Sequence, residues 1–180
     1  MKIKSLAFAV VTTFGLVNAA SAAEGIINFT GSISAAACSV NNVAGSASTS
    51  GTVDFGTVSA TTLAGTGDST VSTPFSIELT DCAVSAAPQI TFNGTPVATA
   101  GYTELFTTDV SGVGIRIEDA GRTGTYYSNG VSASNAGFDA LVSEAVPSAT
   151  GNFNAYLVSY DATTKEGAVD TSVIFTIDYS

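Results

Sequence analysis

Downstream of residue 26, apolar and polar residues alternate with a period of two in four separate runs. Ile27, Phe29, Gly31 and Ile33 alternate with Asn28, Thr30, Ser32 and Ser34. Phe75, Ile77 and Leu79 alternate with Ser76, Glu78 and Thr80, and Val113, Ile115 and Ile117 with Gly114, Arg116 and Glu118. The last run sets Val173, Phe175, Ile177 and Tyr179 against Ser172, Ile174, Thr176 and Asp178. Successive side chains of a strand point to opposite faces, so this period predicts strands with one buried face. Gln89–Phe92 and Phe153–Tyr160 are more mixed but rich in strand formers. Turn signals separate the runs at Gly65–Asp68, Asn93-Gly94, Gly121–Gly124, Ser128–Gly130 and Thr164–Gly167. The Ala/Ser/Thr tracts at Ala44–Gly51 and Val131–Ala136 read as loops or short edge strands. The pattern as a whole predicts an all-β sandwich in one domain.

The two cleanest terminal runs lie at the extremities, one ahead of Cys38 and the other at the C-terminus. A terminal strand with so clean an apolar face needs a partner, because left in water it invites aggregation. Alternation alone leaves open whether both runs pair inside the sandwich.

The first residues change the setting. Lys2 and Lys4 precede an apolar stretch from Leu6 to Val17, and Ala20-Ser21-Ala22 supplies small residues for cleavage. The stretch is shorter than the ~20 apolar residues of a membrane span. It reads as a secretory signal peptide over residues 1–22, with cleavage after 22 or 23. In an oxidising compartment the two cysteines, Cys38 and Cys82, most simply form one disulfide. Closing that loop stabilises a fold by roughly 3 to 4 kcal/mol in the chain-entropy view. Free thiols or a metal site would lack support, since the chain has no histidine and no second cysteine pair.

Charge then narrows the function. The full chain has 15 acids and 5 bases, a net charge of -10. Removing the leader takes both N-terminal lysines and leaves Arg116, Arg122 and Lys165. No basic footprint exists to neutralise phosphates, so nucleic acid is not an expected partner. Without histidine, a metal cluster or a nucleophile motif, catalysis has little to stand on, and no cofactor is expected. Asp81 is accounted for by a turn at Cys82, and the Glu118-Asp119 pair by a strand end.

Several segments in order carry a family likeness: Gly25-Ile26-Ile27-Asn28-Phe29-Thr30-Gly31-Ser32-Ile33 leading into Ala36-Ala37-Cys38-Ser39-Val40, then Phe55-Gly56-Thr57-Val58. Phe75 to Cys82, Phe153-Asn154-Ala155-Tyr156 and a final Phe175-Thr176-Ile177-Asp178-Tyr179-Ser180 follow. The chain resembles a fimbrial (pilin) subunit of the chaperone-usher class, closest to the major subunit of type 1 fimbriae, over essentially its whole mature length. The resemblance implies an incomplete immunoglobulin-like sandwich lacking its last strand, with a hydrophobic groove beside the C-terminal strand. It implies a donor-strand extension at residues 23–35, carrying Ile27, Phe29, Gly31 and Ile33, and a sandwich domain at residues 36–180. Val173, Phe175, Ile177 and Tyr179 are then the groove and chaperone-pairing strand. The partners implied are a periplasmic pilus chaperone, an outer-membrane usher and other fimbrial subunits in a head-to-tail polymer, exported through the periplasm to the cell surface.

The expected function is therefore a structural fimbrial subunit, polymerised by donor-strand exchange and supporting cell adhesion. A minor or adaptor subunit of the same pathway is the first alternative, and a self-contained secreted β-sandwich binding protein the second. A complete sandwich would be a stable monomer without a chaperone, which distinguishes the last.

Overall fold

Two antiparallel sheets face each other across an aromatic core. The computed structural model describes residues 38–82, 87–143, 147–163 and 166–179, all within one compact unit. The larger sheet contains β1 (Ser39–Val43), β2 (Thr73–Thr80), β4 (Phe106–Thr107), β5 (Val113–Asp119), β6 (Tyr126–Tyr127) and β8 (Ser148–Ser159). Its order is β1-β2-β8-β5-β4, and β6 also pairs with β5. The smaller sheet is β7-β3-β9, built from β3 (Pro88–Asn93), β7 (Ser132–Ala133) and β9 (Ile174–Tyr179). Among the described residues, helix is confined to the single α-turn Ala140–Ser143 and two 3-10 turns at Ala60–Leu63 and Ala136–Phe138. No helix among the described residues is long and apolar enough to cross a membrane.

The alternation explains the strands it predicts. Ile77 and Leu79 of β2 are fully buried, as are Ile90 of β3 and Phe153 of β8. Phe75 stacks on Phe153 at 5.0 Å within the larger sheet. Phe92 from the smaller sheet meets Phe153 edge-on at 5.5 Å and Tyr127 at 5.3 Å. Each such side chain contributes about 1.5–3 kcal/mol of burial, so this cluster is a main bond between the layers.

Two strands exceed the sequence expectation. β1 lies in a stretch without clean alternation, because its register against β2 shifts between Val40 and Asn42. β8 begins at Ser148, five residues before Phe153. Its first inward positions are Ala149 and Gly151, whose small side chains carry little hydrophobic signal. Gly151 is small for a reason: a Cβ there would lie 2.5 Å from the ring of buried Phe138. The C-terminal run is one residue shorter as a strand, since Val173 immediately precedes β9.

Candidate functional site

The missing partner of the sandwich is visible as two open edges. β9 pairs with β3 on one side and has no strand on the other among the described residues. β1 likewise ends the larger sheet. On β9, Phe175, Ile177 and Tyr179 are half-buried and Ile174, Thr176 and Asp178 exposed, with Ile174 68% exposed on the outer face. The inward row thus borders a groove rather than a closed core.

Val173 and Phe175 line a cavity of about 340 Å³, whose floor includes Phe75 and Ile77 of β2, Phe92 of β3 and Ile115 of β5. Val43 of β1 and Val53 stand on the facing wall. A second cavity of about 670 Å³ shares Val53, Phe55 and Val169 with the first, so the two adjoin. Leu63, Val110, Val113 and Leu157 line its far part, where they form a small apolar cluster of their own. The segment around Phe55 and Val58 and the stretch Glu166–Ser172 are lining elements that periodicity missed, because they are loops. The Phe55-Gly56-Thr57-Val58 motif and the turn signal at Thr164–Gly167 were their traces in the sequence.

At the other end the two walls approach each other. Cys38 and Cys82 form a disulfide with Cα atoms 4.2 Å apart, joining the chain just ahead of β1 to the end of β2. The Tyr179 hydroxyl donates to the Cys38 carbonyl at 3.4 Å, and burial pushes its pKa up. Cys38 therefore sits beside the last residue of β9, while Val43 shares a cavity with Val173 and Phe175. β1 and β9 run in opposite directions along the groove's two walls.

The sequence-named residues are divided by this geometry. Phe175, Ile177 and Tyr179 fall in one row along β9, and Val173 immediately precedes that strand. Ile27, Phe29, Gly31 and Ile33 lie outside the described residues. The Glu118-Asp119 pair is not among the groove's lining residues and is held by hydrogen bonds of its own. Glu118 accepts from the Gly124 N–H at 2.7 Å and the Tyr156 hydroxyl at 2.7 Å, which hold its carboxyl below the ordinary range. Asp119, fully buried, accepts from the Gly121 and Ala136 N–H groups at 2.9 Å each and pairs with Arg122 at 3.4 Å. Both are fasteners for the 119–125 turn and the loop before Phe138. The groove lining is mixed: Asp54, Glu166 and Asp170 stand beside its apolar side chains, and its edges offer backbone without a strand partner among the described residues.

The fimbrial protein family matches residues 27–180. The chain belongs to this family. Among relatives of the fimbrial protein, the S-fimbrial protein subunit SfaA of Escherichia coli O6:K15:H31 (strain 536) is 33% identical over 182 residues, covering 92% of this chain and 98% of the relative. A chaperone-usher pilus structure is similar with a TM-score of 0.61 and 20% identity, over 87% of this chain and 96% of that one. The P pilus rod subunit PapA is similar with a TM-score of 0.60 and 19% identity, over 79% and 99%. Those two likenesses show the fold, an incomplete immunoglobulin-like sandwich. The fimbrial protein is a structural subunit, as the resemblance in its sequence implied.

Proposed function

We propose that this subunit polymerises by donor-strand exchange, with residues 23–35 of one copy filling the groove of the next. Residues 1–22 are the export leader and residues 36–180 the sandwich domain. The observation that carries this reading is the groove between the unpaired edges of β1 and β9. A strand laid there pairs its backbone with β9 and drops alternate side chains into the groove. Ile27, Phe29 and Ile33 supply apolar side chains at that spacing, and Gly31 supplies a slot with none.

Direction follows from where the chain leaves the body. A subunit's own extension emerges at the Tyr179 end, beside Cys38. A neighbour's strand running antiparallel to β9 places Ile33, and the neighbour's body beyond it, at the opposite end near Val169. Each subunit then receives at one end and donates at the other, a head-to-tail contact that does not close and so makes a filament. The reverse direction would crowd two subunits at the Tyr179 end.

Before assembly the same edge needs cover, which a periplasmic pilus chaperone supplies and an outer-membrane usher exchanges for the next subunit. The product is a homopolymeric fimbrial shaft at the cell surface that supports adhesion, and its chemistry is strand pairing rather than catalysis. Deleting residues 23–35 is the test. The expected product caps fibres without extending them, and unchanged fibre length in mixtures would contradict the proposal.

A further inference from the structure

Two Asn-Gly pairs, Asn93-Gly94 and Asn129-Gly130, meet at the end of β3. Each glycine N–H is tied to the other pair's segment. The Gly94 N–H donates to the Asn129 carboxamide oxygen at 2.8 Å, and the Gly130 N–H donates to the Phe92 carbonyl at 2.9 Å. Asn129 is half-buried, in a turn that Gly130 closes at φ +69°, whereas Asn93 is exposed.

An asparagine followed by glycine is open to deamidation, because glycine has no side chain to shield its nitrogen. The Gly94 nitrogen loses its proton to a solvent base and bonds to Cγ of Asn93. The bond from Cγ to the side-chain nitrogen breaks, and that nitrogen takes up a proton and leaves as ammonia. Water then opens the succinimide ring to aspartate or, at its other carbonyl, to isoaspartate. The first step needs a Gly94 nitrogen released from its hydrogen bond and turned toward the Asn93 side chain. The bond to Asn129 retains the proton and aims the N–H across the turn, while pairing with Ile174 keeps Asn93 extended.

The place makes the reaction consequential. Asn93 ends β3 and lies opposite Ile174, where β9 begins. A Cβ on Gly94 would lie 2.9 Å from the Phe106 ring and 3.4 Å from Cγ2 of Val173. Isoaspartate routes the main chain through an extra methylene, at a point with no space to take it and in contact with the groove wall.

We propose that Asn93 is a latent deamidation site, that the Asn129 carboxamide keeps it closed, and that its conversion to isoaspartate loosens the start of β9 beside Val173. This needs no donor strand, so it stands or falls apart from the polymerisation reading.

The mature subunit and its variants are held in mildly alkaline buffer, and deamidation at Asn93 is followed by peptide mapping. Asn129→Ala, which frees the Gly94 N–H, is expected to speed it about fivefold, the loss of one hydrogen bond. Asn129→Asp keeps an acceptor oxygen and is expected to age at the original rate. Gly151→Val, which weakens the fold by crowding Phe138 and leaves Asn129 in place, is the control for general loosening. An Asn129→Ala variant that ages no faster, an Asn129→Asp variant that ages as fast as Asn129→Ala, or an equal gain from Gly151→Val overturns the inference. In the unaltered subunit the Gly94 amide should exchange more slowly than the exposed 98–101 loop, and equal exchange would remove the lock. The isoaspartate form, separated by its added negative charge, is expected to exchange the amides of Ile174–Thr176 about fivefold faster, and unchanged exchange there would refute the effect on β9.

Discussion

Truncating Phe175 to alanine separates a groove-lining side chain from an ordinary core residue. In the open subunit Phe175 is half-buried, set against Phe92 across the β3–β9 pair and facing the 340 Å³ cavity. A fully buried phenylalanine costs about 3–5 kcal/mol on truncation. With the cavity open to water, only part of that side chain's burial is lost, and the expected cost is about 1–2 kcal/mol. Once a donor strand covers the groove the full cost applies. The difference, about 2 kcal/mol, weakens binding of a peptide of residues 23–35 by about 30-fold. Thr176→Ala is the control, because it removes an exposed side chain from the same strand and should change affinity by less than about twofold. The assay is peptide titration onto the subunit lacking its own extension, paired with urea unfolding with and without peptide. Equal peptide affinities for Phe175→Ala and Thr176→Ala, or an unfolding cost for Phe175→Ala that the peptide leaves unchanged, would refute the reasoning.

Two further outcomes follow from the fold. The Gly124 N–H and the Tyr156 hydroxyl hold the Glu118 carboxyl below its ordinary value of 4.5, so its folded pKa lies under its unfolded one. Its stabilising effect is full above about pH 4.5 and is lost as the pH falls through the folded value. Glu118→Gln should flatten the acid fall in urea midpoint, and an unchanged acid slope would remove this role. Gly151→Val drives a side chain into Phe138 and should destabilise the subunit by about 1–3 kcal/mol. A wild-type urea midpoint for Gly151→Val would contradict the packing described for β8.

What the sequence showed, and what it hid, has a common physical cause. β2 buries one face under Ile77 and Leu79, and β9 half-buries one under Phe175 and Ile177, so their period of two is plain; β5 keeps the period in Val113, Ile115 and Ile117 although both its faces are covered, Gly114 and Glu118 being buried too. β1 buries little before Val43 and its register slips at Asn41, which erases the period. The first half of β8 faces Phe138 with Ala149 and Gly151, and small residues leave no hydrophobic mark. The row Val173, Phe175, Ile177 and Tyr179 could be named from alternation together with the family likeness. Its place beside a groove was implied by the family likeness alone, since alternation does not tell which strands end their sheets. The far cavity was hidden for the same reason: Phe55, Leu63, Val110 and Val169 come from loops and turns distant in sequence. The Asp119 fastening was read only as a strand end, because its donors at Gly121 and Ala136 are brought to it by the folded loops.

Amide hydrogen exchange along β9 tests the central claim most directly. On adding a peptide of residues 23–35 to the subunit lacking its extension, alternate N–H groups between Ile174 and Tyr179, those facing the open edge, should become strongly protected while the exposed 98–101 loop stays unchanged. Saturating peptide that leaves every β9 amide exchanging as before would contradict the account.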